Sequence, residues 1–422
     1  MEKSLLVGLN LNNTPFFTQS MEELSALAKA CNMEVVSIVE QTLPTANKAF
    51  YIGTGKVEEV REKAEETGAE VIVFDNALSP SQLRNLQKEL GLPILDRTTL
   101  ILEIFSTRAK TREARLQVET ARLQYMLPRL VGLHEALSRQ GGGSGLSNKG
   151  AGEKKLELDR RKIEHRLGEL RKELEEISKE RDTQRKRRLR TGEFQVALVG
   201  YTNAGKSTIM NQMVDLYVQD EEKKVLEKDM LFATLETTVR KIVGQDKRSF
   251  LLSDTVGFIS NLPHNLIKAF RSTLEEVKNA DLLLQVVDFS DPYYKEHMAV
   301  TEETLKELEA AHIPMMIVYN KADLRGDLGF SLPKVKGNSI YMSAKSKEHI
   351  EALVKNIFQM SRAGYVDCEM FIPFSEGQAV SYLQKHGIIK EIAYESGGTR
   401  LFLSVSKADF GRYRKFCVNE KM

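Results

Sequence analysis

The sequence has few cysteines, and their placement excludes a disulfide framework. Cys31, Cys368 and Cys417 are the only three in 422 residues, and no two of them stand at the spacing of metal ligands. An odd number of widely separated cysteines is typical of a protein kept in a reducing compartment. We therefore expect a cytoplasmic protein.

Long hydrophobic runs are also missing. No stretch reaches the roughly 18 apolar residues of a membrane span, and the N-terminal Met-Glu-Lys precedes only a short apolar run broken by asparagines. Secretion and membrane spanning are therefore not expected. A content of 41% hydrophobic and 28% charged residues is sufficient for the cores of two or three soluble domains. We expect a monomer.

The chain also lacks a large net charge, since the formal value is only +2. The positive charge is nevertheless concentrated, because the segment 181–190 ends in Arg-Lys-Arg-Arg-Leu-Arg and one predicted helix carries a basic series. That series comprises Arg108, Lys110, Arg112, Arg115, Arg122 and Arg129. A solvated helix face and an RNA-binding surface explain these clusters equally well.

Residues 200–207, Gly-Tyr-Thr-Asn-Ala-Gly-Lys-Ser, match a phosphate-binding loop. The apolar run Phe194–Val199 predicts a buried strand before the loop, and the residues from Ser207 onward predict a helix after it. In such a loop, backbone N–H groups wrap the α- and β-phosphates and Lys206 reaches the β- and γ-phosphates. The Ser207 hydroxyl then binds Mg²⁺.

A second motif specifies the base. Asn320-Lys321-Ala322-Asp323 fits the guanine-binding motif of GTPases, in which the aspartate accepts hydrogen bonds from N1 and N2 of guanine. Adenine does not offer these donors. The backbone of Ser343-Ala344-Lys345 is expected to contact the guanine oxygen. The two motifs together predict GTP as substrate and oppose an ATP-dependent kinase or helicase.

Further ligands are expected between and after these motifs. Asp254 ends an apolar strand and suits the outer coordination shell of Mg²⁺, and the Gly257 N–H suits the γ-phosphate. A switch threonine is also needed, whose hydroxyl binds Mg²⁺ and whose N–H meets the γ-phosphate. Thr234 is our choice; Thr237 and Thr238 are alternatives, as is a threonine-rich surface strand.

The complete predicted site follows from these motifs. Catalytic roles are assigned to Lys206, Thr234, Gly257 and Asn203, and metal binding to Ser207 and Thr234. The residues predicted to bind the nucleotide are Gly200, Tyr201, Thr202, Asn203, Ala204, Gly205, Lys206, Ser207, Thr208, Phe232, Thr234, Asp254, Gly257, Asn320, Lys321, Asp323, Ser343, Ala344 and Lys345.

Five apolar runs predict the strands of the nucleotide-binding domain. They are residues 194–199, 249–254, 282–288, 315–319 and 339–342. Strands of this kind with helices between them predict an α/β fold, a mostly parallel doubly wound sheet of the P-loop GTPase type. The nucleotide is expected at the carboxyl ends of the strands.

The hydrolytic mechanism departs from that of Ras-like GTPases at one position. Phe258 follows Gly257 where a glutamine would orient the attacking water, and a phenyl ring cannot hold a water. Another residue, a monovalent cation or a partner must order the site, so unassisted turnover should be slow. Asn203 resembles the K⁺ ligand of cation-activated GTPases; an asparagine chosen for its turn geometry is an equal alternative.

Residues 107–190 predict a helical hairpin arm. Apolar residues recur at alternating spacings of four and three in 116–137 and in 163–177, which predicts two long antiparallel helices, the first kinked at Pro128. The glycine-dense, weakly basic connection 141–152 is longer than a structural turn requires. We interpret it as a tip that fits against RNA backbone.

The remaining segments predict small α/β units on either side of the GTPase domain, which spans residues 191–363. They cover residues 1–106 and 364–422. In the first, Gly53-Thr-Gly55-Lys56 resembles part of a phosphate loop but lacks its full spacing. A turn that caps the following helix is therefore favoured.

Several of these segments together resemble the HflX family of ribosome-associated GTPases. They are Phe232-Ala-Thr-Leu-Glu, Asp254-Thr-Val-Gly-Phe-Ile-Ser-Asn-Leu-Pro-His, Leu127-Pro-Arg-Leu and Leu137-Ser-Arg-Gln-Gly-Gly-Gly. The resemblance covers nearly the whole chain and is weakest in the C-terminal segment. It implies a factor that docks on the large ribosomal subunit and its rRNA, has its GTPase stimulated there, and splits stalled or idle ribosomes.

The tip departs from the family pattern and leaves alternatives open. A run similar to Gly-Pro-Gly-Glu-Thr-Gln is expected here, but the sequence has Gly150-Ala-Gly-Glu-Lys-Lys155. A divergent tip of this kind would suit a ribosome-protection factor that displaces antibiotics. A GTP-dependent RNA-modification or RNA-remodelling enzyme is a second competitor. It needs another active site, and no cofactor fingerprint, metal cluster or plausible cysteine nucleophile occurs outside residues 191–362.

Overall fold

The computed structural model describes residues 1–12, 16–139, 149–190, 193–218, 232, 238–244, 248–260, 276–326, 328–361 and 365–421. Two compact units make up the chain. The first comprises Met1–Glu180, Lys228–Glu236 and Val256–Leu274, and the second comprises Arg181–Glu227, Thr237–Thr255 and Glu275–Met422. Two short segments that follow the phosphate loop in sequence therefore belong to the first unit.

A four-stranded parallel sheet forms the base of the first unit. Its strands β1 (Glu2–Leu11), β2 (Met33–Leu43), β3 (Val71–Phe74) and β4 (Ile94–Asp96) stand in the order β2-β1-β3-β4. Helices α1 (Phe17–Ala30), α2 (Thr54–Thr67) and α3 (Pro80–Leu90) connect them. All four residues of β3 are buried, as expected of a central parallel strand. This is the small α/β unit that the sequence predicts.

Two long helices follow α4 (Arg97–Arg108). They are α5 (Arg112–Arg139) and α6 (Lys149–Arg190). Arg112 of α5 pairs with Glu173 of α6, and Glu119 of α5 pairs with Arg166 of α6. Residue numbers therefore increase along α5 while those of their partners decrease along α6. This order is that of an antiparallel hairpin. With 42 residues, α6 is about 63 Å long.

The hairpin differs from the sequence prediction at its connection. The sequence predicts a loop over 141–152, whereas α6 begins at Lys149, so Lys149–Gly152 are helical and residues 140–148 lie outside the described residues. Glycine in a helix costs roughly 1 kcal/mol relative to alanine. The good helix formers that follow, Glu153 to Leu156, offset this cost and extend the helix back through Gly150 and Gly152. Pro128 lies within α5, which continues as one helix on both sides of it; its kink stays a prediction.

The second unit contains a seven-stranded sheet in the order β10-β11-β9-β8-β5-β7-β6. Its strands are β5 (Phe194–Val199), β6 (Thr238–Val243), β7 (Ser249–Asp254), β8 (Leu282–Asp288), β9 (Met315–Asn320), β10 (Lys334–Lys336) and β11 (Ser339–Tyr341). The five predicted strands are the parallel ones, which confirms the predicted fold class. The edge strands β6 and β10, both antiparallel to their neighbours, are additional.

Three helices of the second unit accompany this sheet. They are α7 (Lys206–Tyr217), α8 (Tyr294–Glu307) and α9 (Lys347–Ser361). Apolar residues of β5, β8 and β9 pack with those of α7 and α9 in one core, which includes Leu198, Met210, Val286, Val318 and Leu353. The helix and strand that flank residues 200–205 are thus both anchored in the core.

The C-terminal part of the second unit has its own antiparallel sheet and core. Its elements are β12 (Tyr365–Pro373), α10 (Gly377–His386), β13 (Ile388–Glu395), β14 (Gly398–Ser406), α11 (Lys407–Tyr413) and β15 (Cys417–Lys421). The strand order is β13-β14-β12-β15. Met370, Leu383, Leu401, Leu403 and Val405 form the centre of its core. Among the described helices of the chain, none is long and apolar enough to cross a bilayer.

Candidate nucleotide-binding site

The phosphate loop connects β5 to α7 through backbone conformations that require glycine. Gly200 has φ 142° and Gly205 has φ 95°. A Cβ atom at Gly200 would lie 2.2 Å from the carbonyl oxygen of Val286, and one at Gly205 would lie 2.2 Å from Nδ2 of Asn320. Neither position can accommodate a side chain. The loop is therefore held close to the ends of β8 and β9.

Lys206 lies at the start of α7 and is buried. Its Nζ donates to the carbonyl oxygens of Gly200 (3.0 Å) and Tyr201 (2.7 Å), so the side chain folds back over its own loop. Burial lowers the pKa of Lys206 to about 8, although Asp254 raises it. The present partners of this buried amine are neutral carbonyls, and an anionic phosphate in their place would stabilise the charged form of the amine. The amine fits a phosphate.

Ser207 and Asp254 meet beside the loop. The Ser207 hydroxyl donates to Oδ2 of Asp254 at 2.9 Å, and Asp254, the last residue of β7, is fully buried. The next residue, Thr255, donates from Oγ1 to the carbonyl of Leu198 (2.6 Å) and so ties this end of β7 to β5. A hydroxyl and a carboxylate beside a phosphate cradle are oxygen ligands of the kind that Mg²⁺ prefers. The donor set fits the predicted metal.

Asn320 links three loops at the carboxyl ends of the strands. Its Nδ2 donates to the carbonyl of Ala204 (2.9 Å), and its Oδ1 accepts from the backbone N–H of Ala344 (2.8 Å). The side chain is only 2% exposed. Asn320 therefore holds the phosphate loop and the Ser343–Lys345 loop in fixed positions about the expected base pocket.

The other two polar residues of the base motif have different surroundings. Lys321 donates from Nζ to the carbonyl of Asn203 (3.0 Å) and to Oδ2 of Asp288 (2.7 Å). Asp323 lies in the short 3-10 helix Ala322–Leu324 and is exposed. An exposed carboxylate at the rim is available to a base that enters from solvent.

Some of the predicted ligands lie outside the described residues, and others belong to the first unit. Thr234 and the alternative Thr237 lie outside the described residues. Thr238 is in β6 and stands opposite Asp254 in the strand register. Gly257 and Phe232 belong to the first unit, where the Phe232 ring packs edge-on against Phe105 at 4.7 Å. Nucleotide contacts by Thr234, Phe232 and Gly257 stay predictions.

Sequence reasoning missed two residues that support the loop, His297 directly and Asp288 through Lys321. Asp288 ends β8 and pairs with Lys321, whereas the His297 ring, on α8, stacks on that of Tyr201. Neither residue belongs to a nucleotide-binding motif. The only available signal was the position of Asp288 at the carboxyl end of a predicted buried strand, where polar residues of α/β sheets gather.

The basic series near α5 is largely used within the protein. Arg112 pairs with Glu173, and Arg129 pairs with the buried Asp96 at 2.9 Å and also donates to the carbonyl of Leu78. Arg115 donates to the carbonyl of Ala109. These contacts favour a structural role for Arg112, Arg115 and Arg129.

The short Gly53–Lys56 segment has the structural role that the sequence favours. Gly53 is the N-cap of α2, and its N–H donates to Oε1 of Gln41 at 2.8 Å. Lys56 pairs with Glu59 one turn along the same helix. The segment thus begins a helix.

Three family models match parts of the chain between residues 18 and 321. The model described as GTP-binding GTPase N-terminal matches residues 18–106, and GTP-binding GTPase Middle Region matches residues 108–188. A third, 50S ribosome-binding GTPase, matches residues 195–321, which contain the phosphate loop and the base motif.

Curated relatives agree over both units. GTPase HflX of Alkalihalophilus pseudofirmus is 43% identical over 390 residues, covering 92% of this chain and 90% of the relative. GTPase HflX of Escherichia coli K12 is 36% identical over 414 residues, covering 96% and 94%. Among solved structures, a GTP-binding protein from Sulfolobus solfataricus in complex with GDP is 25% identical. It covers 86% of this chain and 99% of that chain at a TM-score of 0.44.

Proposed function

The chain belongs to the HflX family of GTPases, and from this membership we propose that it is a cytoplasmic factor that binds the large ribosomal subunit and its rRNA. In this proposal it dissociates stalled or idle ribosomes in a nucleotide-dependent way. The observation that carries the proposal is the match of residues 195–321 to a 50S ribosome-binding GTPase. The chain is a GTPase, and the ribosomal role is the proposal.

The contacts of the described residues support the following roles in binding GTP. Lys206 would turn from the carbonyls of Gly200 and Tyr201 to the β- and γ-phosphates, and Ser207 would exchange Asp254 for Mg²⁺. When bound, Mg²⁺ neutralises charge that develops on the β- and γ-phosphates. Asp254 would hold the metal from its outer shell, and Thr234 is proposed to complete its ligands.

Hydrolysis requires a way to orient water that Phe258 cannot supply. The Phe258 side chain is 4% exposed and apolar, so it contributes no hydrogen bond to an attacking water. We infer that unassisted turnover is slow and that the ribosome orders the site. An allosteric partner of this kind makes hydrolysis conditional on docking.

Asn203 is the candidate ligand for a monovalent cation. It has φ 59°, a left-handed conformation that asparagine tolerates, so its turn geometry alone also explains its presence. We expect turnover in K⁺ to exceed turnover in Na⁺ by about tenfold, because the ion would supply positive charge to the transition state. Steady-state GTP hydrolysis in the two chloride salts at equal ionic strength checks this.

Asn203→Gly is the matched control for the cation. Glycine adopts positive φ without strain and removes only the side-chain ligand. Loss of the K⁺ advantage in this variant, at unchanged turnover in Na⁺, supports a cation site. Equal rates of the unsubstituted protein in K⁺ and Na⁺ would eliminate it and leave the turn geometry as the reason for Asn203.

The hairpin arm is the proposed ribosome-binding element. Its helix α6 alone is long enough to carry a tip about 63 Å from the far end of the helix. Arg139 precedes the undescribed residues 140–148 and Lys149, Lys154 and Lys155 follow them, so the tip is flanked by positive charge. Lysine and arginine at such a place fit rRNA phosphates.

Deleting residues 141–148 should remove cosedimentation with purified large subunits and leave nucleotide binding intact. The affinity for GDP should stay within about twofold, since the phosphate loop and the base motif belong to the other unit. A variant with eight glycine and serine residues in place of 141–148 keeps the length of the connection and tests whether its sequence matters. Full cosedimentation of the deleted protein would remove the tip from the proposed interface.

A further inference from the structure

The phosphate loop is held at Tyr201 by an aromatic stack from outside the nucleotide motifs. The Tyr201 and His297 rings lie 3.8 Å apart between centroids with an interplanar angle of 13°. Tyr201 is 6% exposed, so its ring is fixed against α8. Its carbonyl is one of the two acceptors of Lys206 Nζ. The stack therefore determines where a backbone group of the loop points.

His297 itself is held from its own helix and from the loop before it. Its Nδ1 lies 3.6 Å from Oδ2 of Asp291, and its carbonyl accepts from Thr301 Oγ1 at 2.9 Å. Burial lowers the pKa of His297, against the opposing charges of Asp291, Glu296 and Asp288. A neutral imidazole stacks on a phenol as one flat ring on another.

The same loop is held at Asn203 by an ion pair. Asp288 binds Lys321 at 2.7 Å, and Lys321 donates to the carbonyl of Asn203 at 3.0 Å. The Asp288 carboxylate is oriented in turn, because its Oδ1 accepts from the backbone N–H of Ser290 (3.1 Å) and from its hydroxyl (2.5 Å). Asp288 thus directs the Lys321 amine toward the loop.

We propose that Asp288 and His297 are positioning residues of the GTPase site, which hold the phosphate loop in its binding shape at the two residues that flank Thr202. Asp288 acts through Lys321 on Asn203, and His297 acts through Tyr201. Neither residue is assigned a contact with the nucleotide in this proposal. The proposal rests on GTP binding and hydrolysis and is independent of any ribosomal role.

The physical reason is preorganisation of the backbone. A phosphate cradle works through the directions of its N–H groups, and a loop that must be ordered on binding loses affinity to conformational entropy. Asn203 at φ 59° is in a sparsely populated conformation that surrounding contacts must maintain. Removing either anchor should let the loop sample other shapes and weaken binding of every phosphate-bearing nucleotide.

The test uses His297→Ala, His297→Phe and Asp288→Asn in the full chain without ribosomes. Binding of fluorescent methylanthraniloyl-GDP gives the Kd and the active fraction, and GTP turnover gives KM and kcat. We expect His297→Ala and Asp288→Asn each to raise Kd and KM about tenfold, the factor that corresponds to about 1.4 kcal/mol, with kcat changed less. His297→Phe should restore Kd to near the original value, because the stack requires a flat ring and no nitrogen.

Two features separate positioning from damage to the fold. Partial unfolding lowers the active fraction and the apparent kcat while Kd stays the same, whereas positioning changes Kd at full active fraction. Glu309→Gln is the matched control, since it breaks an exposed ion pair with Lys278 of similar length, 2.9 Å, in the same unit. It should leave Kd unchanged.

Two outcomes would overturn the proposal. Unchanged Kd in both His297→Ala and Asp288→Asn would mean that the loop holds its shape unaided, and a His297→Phe variant as weak as His297→Ala would remove the stack from the account. Cosedimentation of the unsubstituted protein with large subunits is measured separately, so failure of the ribosomal proposal leaves these results unaffected.

Discussion

Lys206→Ala is expected to lower GTP turnover by more than about a hundredfold, the scale on which a lost transition-state donor acts. The Lys206 amine is buried and contacts the carbonyls of Gly200 and Tyr201, so a bound phosphate would replace neutral acceptors with an anion. Alanine removes that charge and leaves a hole in the cradle. Single-turnover hydrolysis at saturating GTP, which separates chemistry from binding, is the appropriate measurement.

Lys355→Ala is the control for this prediction, because Lys355 is an exposed lysine of α9 with no place in the site. It should hydrolyse GTP at the original rate. Hydrolysis by Lys206→Ala within a few-fold of the unsubstituted protein would show that the phosphates bind elsewhere, and the site assignment would be wrong.

Asp323→Asn is expected to change base preference from guanine to xanthine. The carboxylate accepts from N1 and N2 of guanine, and an amide that offers N–H groups in its place suits the carbonyl oxygen of xanthine at position 2. A site that loses a directional acceptor should bind GTP at least roughly a hundredfold more weakly. Competition of GDP and XDP against a fluorescent nucleotide measures both affinities.

The position of Asp323 makes this substitution easy to interpret. Asp323 is exposed in a short 3-10 helix, so a change of one oxygen to nitrogen should leave the fold unchanged. Asn320, which holds Ala204 and Ala344, is untouched and keeps the pocket in shape. An Asp323→Asn variant that still prefers GDP over XDP would remove this residue from base recognition.

The central sheet could be predicted from sequence because its strands are buried on both faces. Phe194–Val199 and Leu282–Asp288 are mostly apolar runs, and the structure has strands with these bounds. The edge strands carry no such signal. Lys334–Lys336 is exposed throughout, and in Thr238–Val243 only Ile242 is buried, so partner strands rather than local pattern determine these elements.

The site, like the sheet, has a part that could be predicted from sequence and a part that could not. Residues 200–207 could be assigned because a phosphate loop is local in sequence, with each role set by spacing from its neighbours. His297 and Asp288 could not, since each acts on a residue far away in the chain and no spacing relates them to it. The prediction of a loop over 141–152 was wrong at its C-terminal end for a different reason. Glycine density predicts a loop, but helix propagation from Glu153 extends the helix to Lys149.

The measurement that tests the central claim most directly is steady-state GTP turnover with and without purified large ribosomal subunits. Hydrolysis by the protein alone is expected to be slow, because Phe258 offers no hydrogen bond to the attacking water. The subunit, by ordering the site, is expected to stimulate it by about a hundredfold or more. Equal turnover in the presence and absence of the subunit, at concentrations where the two cosediment, would contradict this expectation.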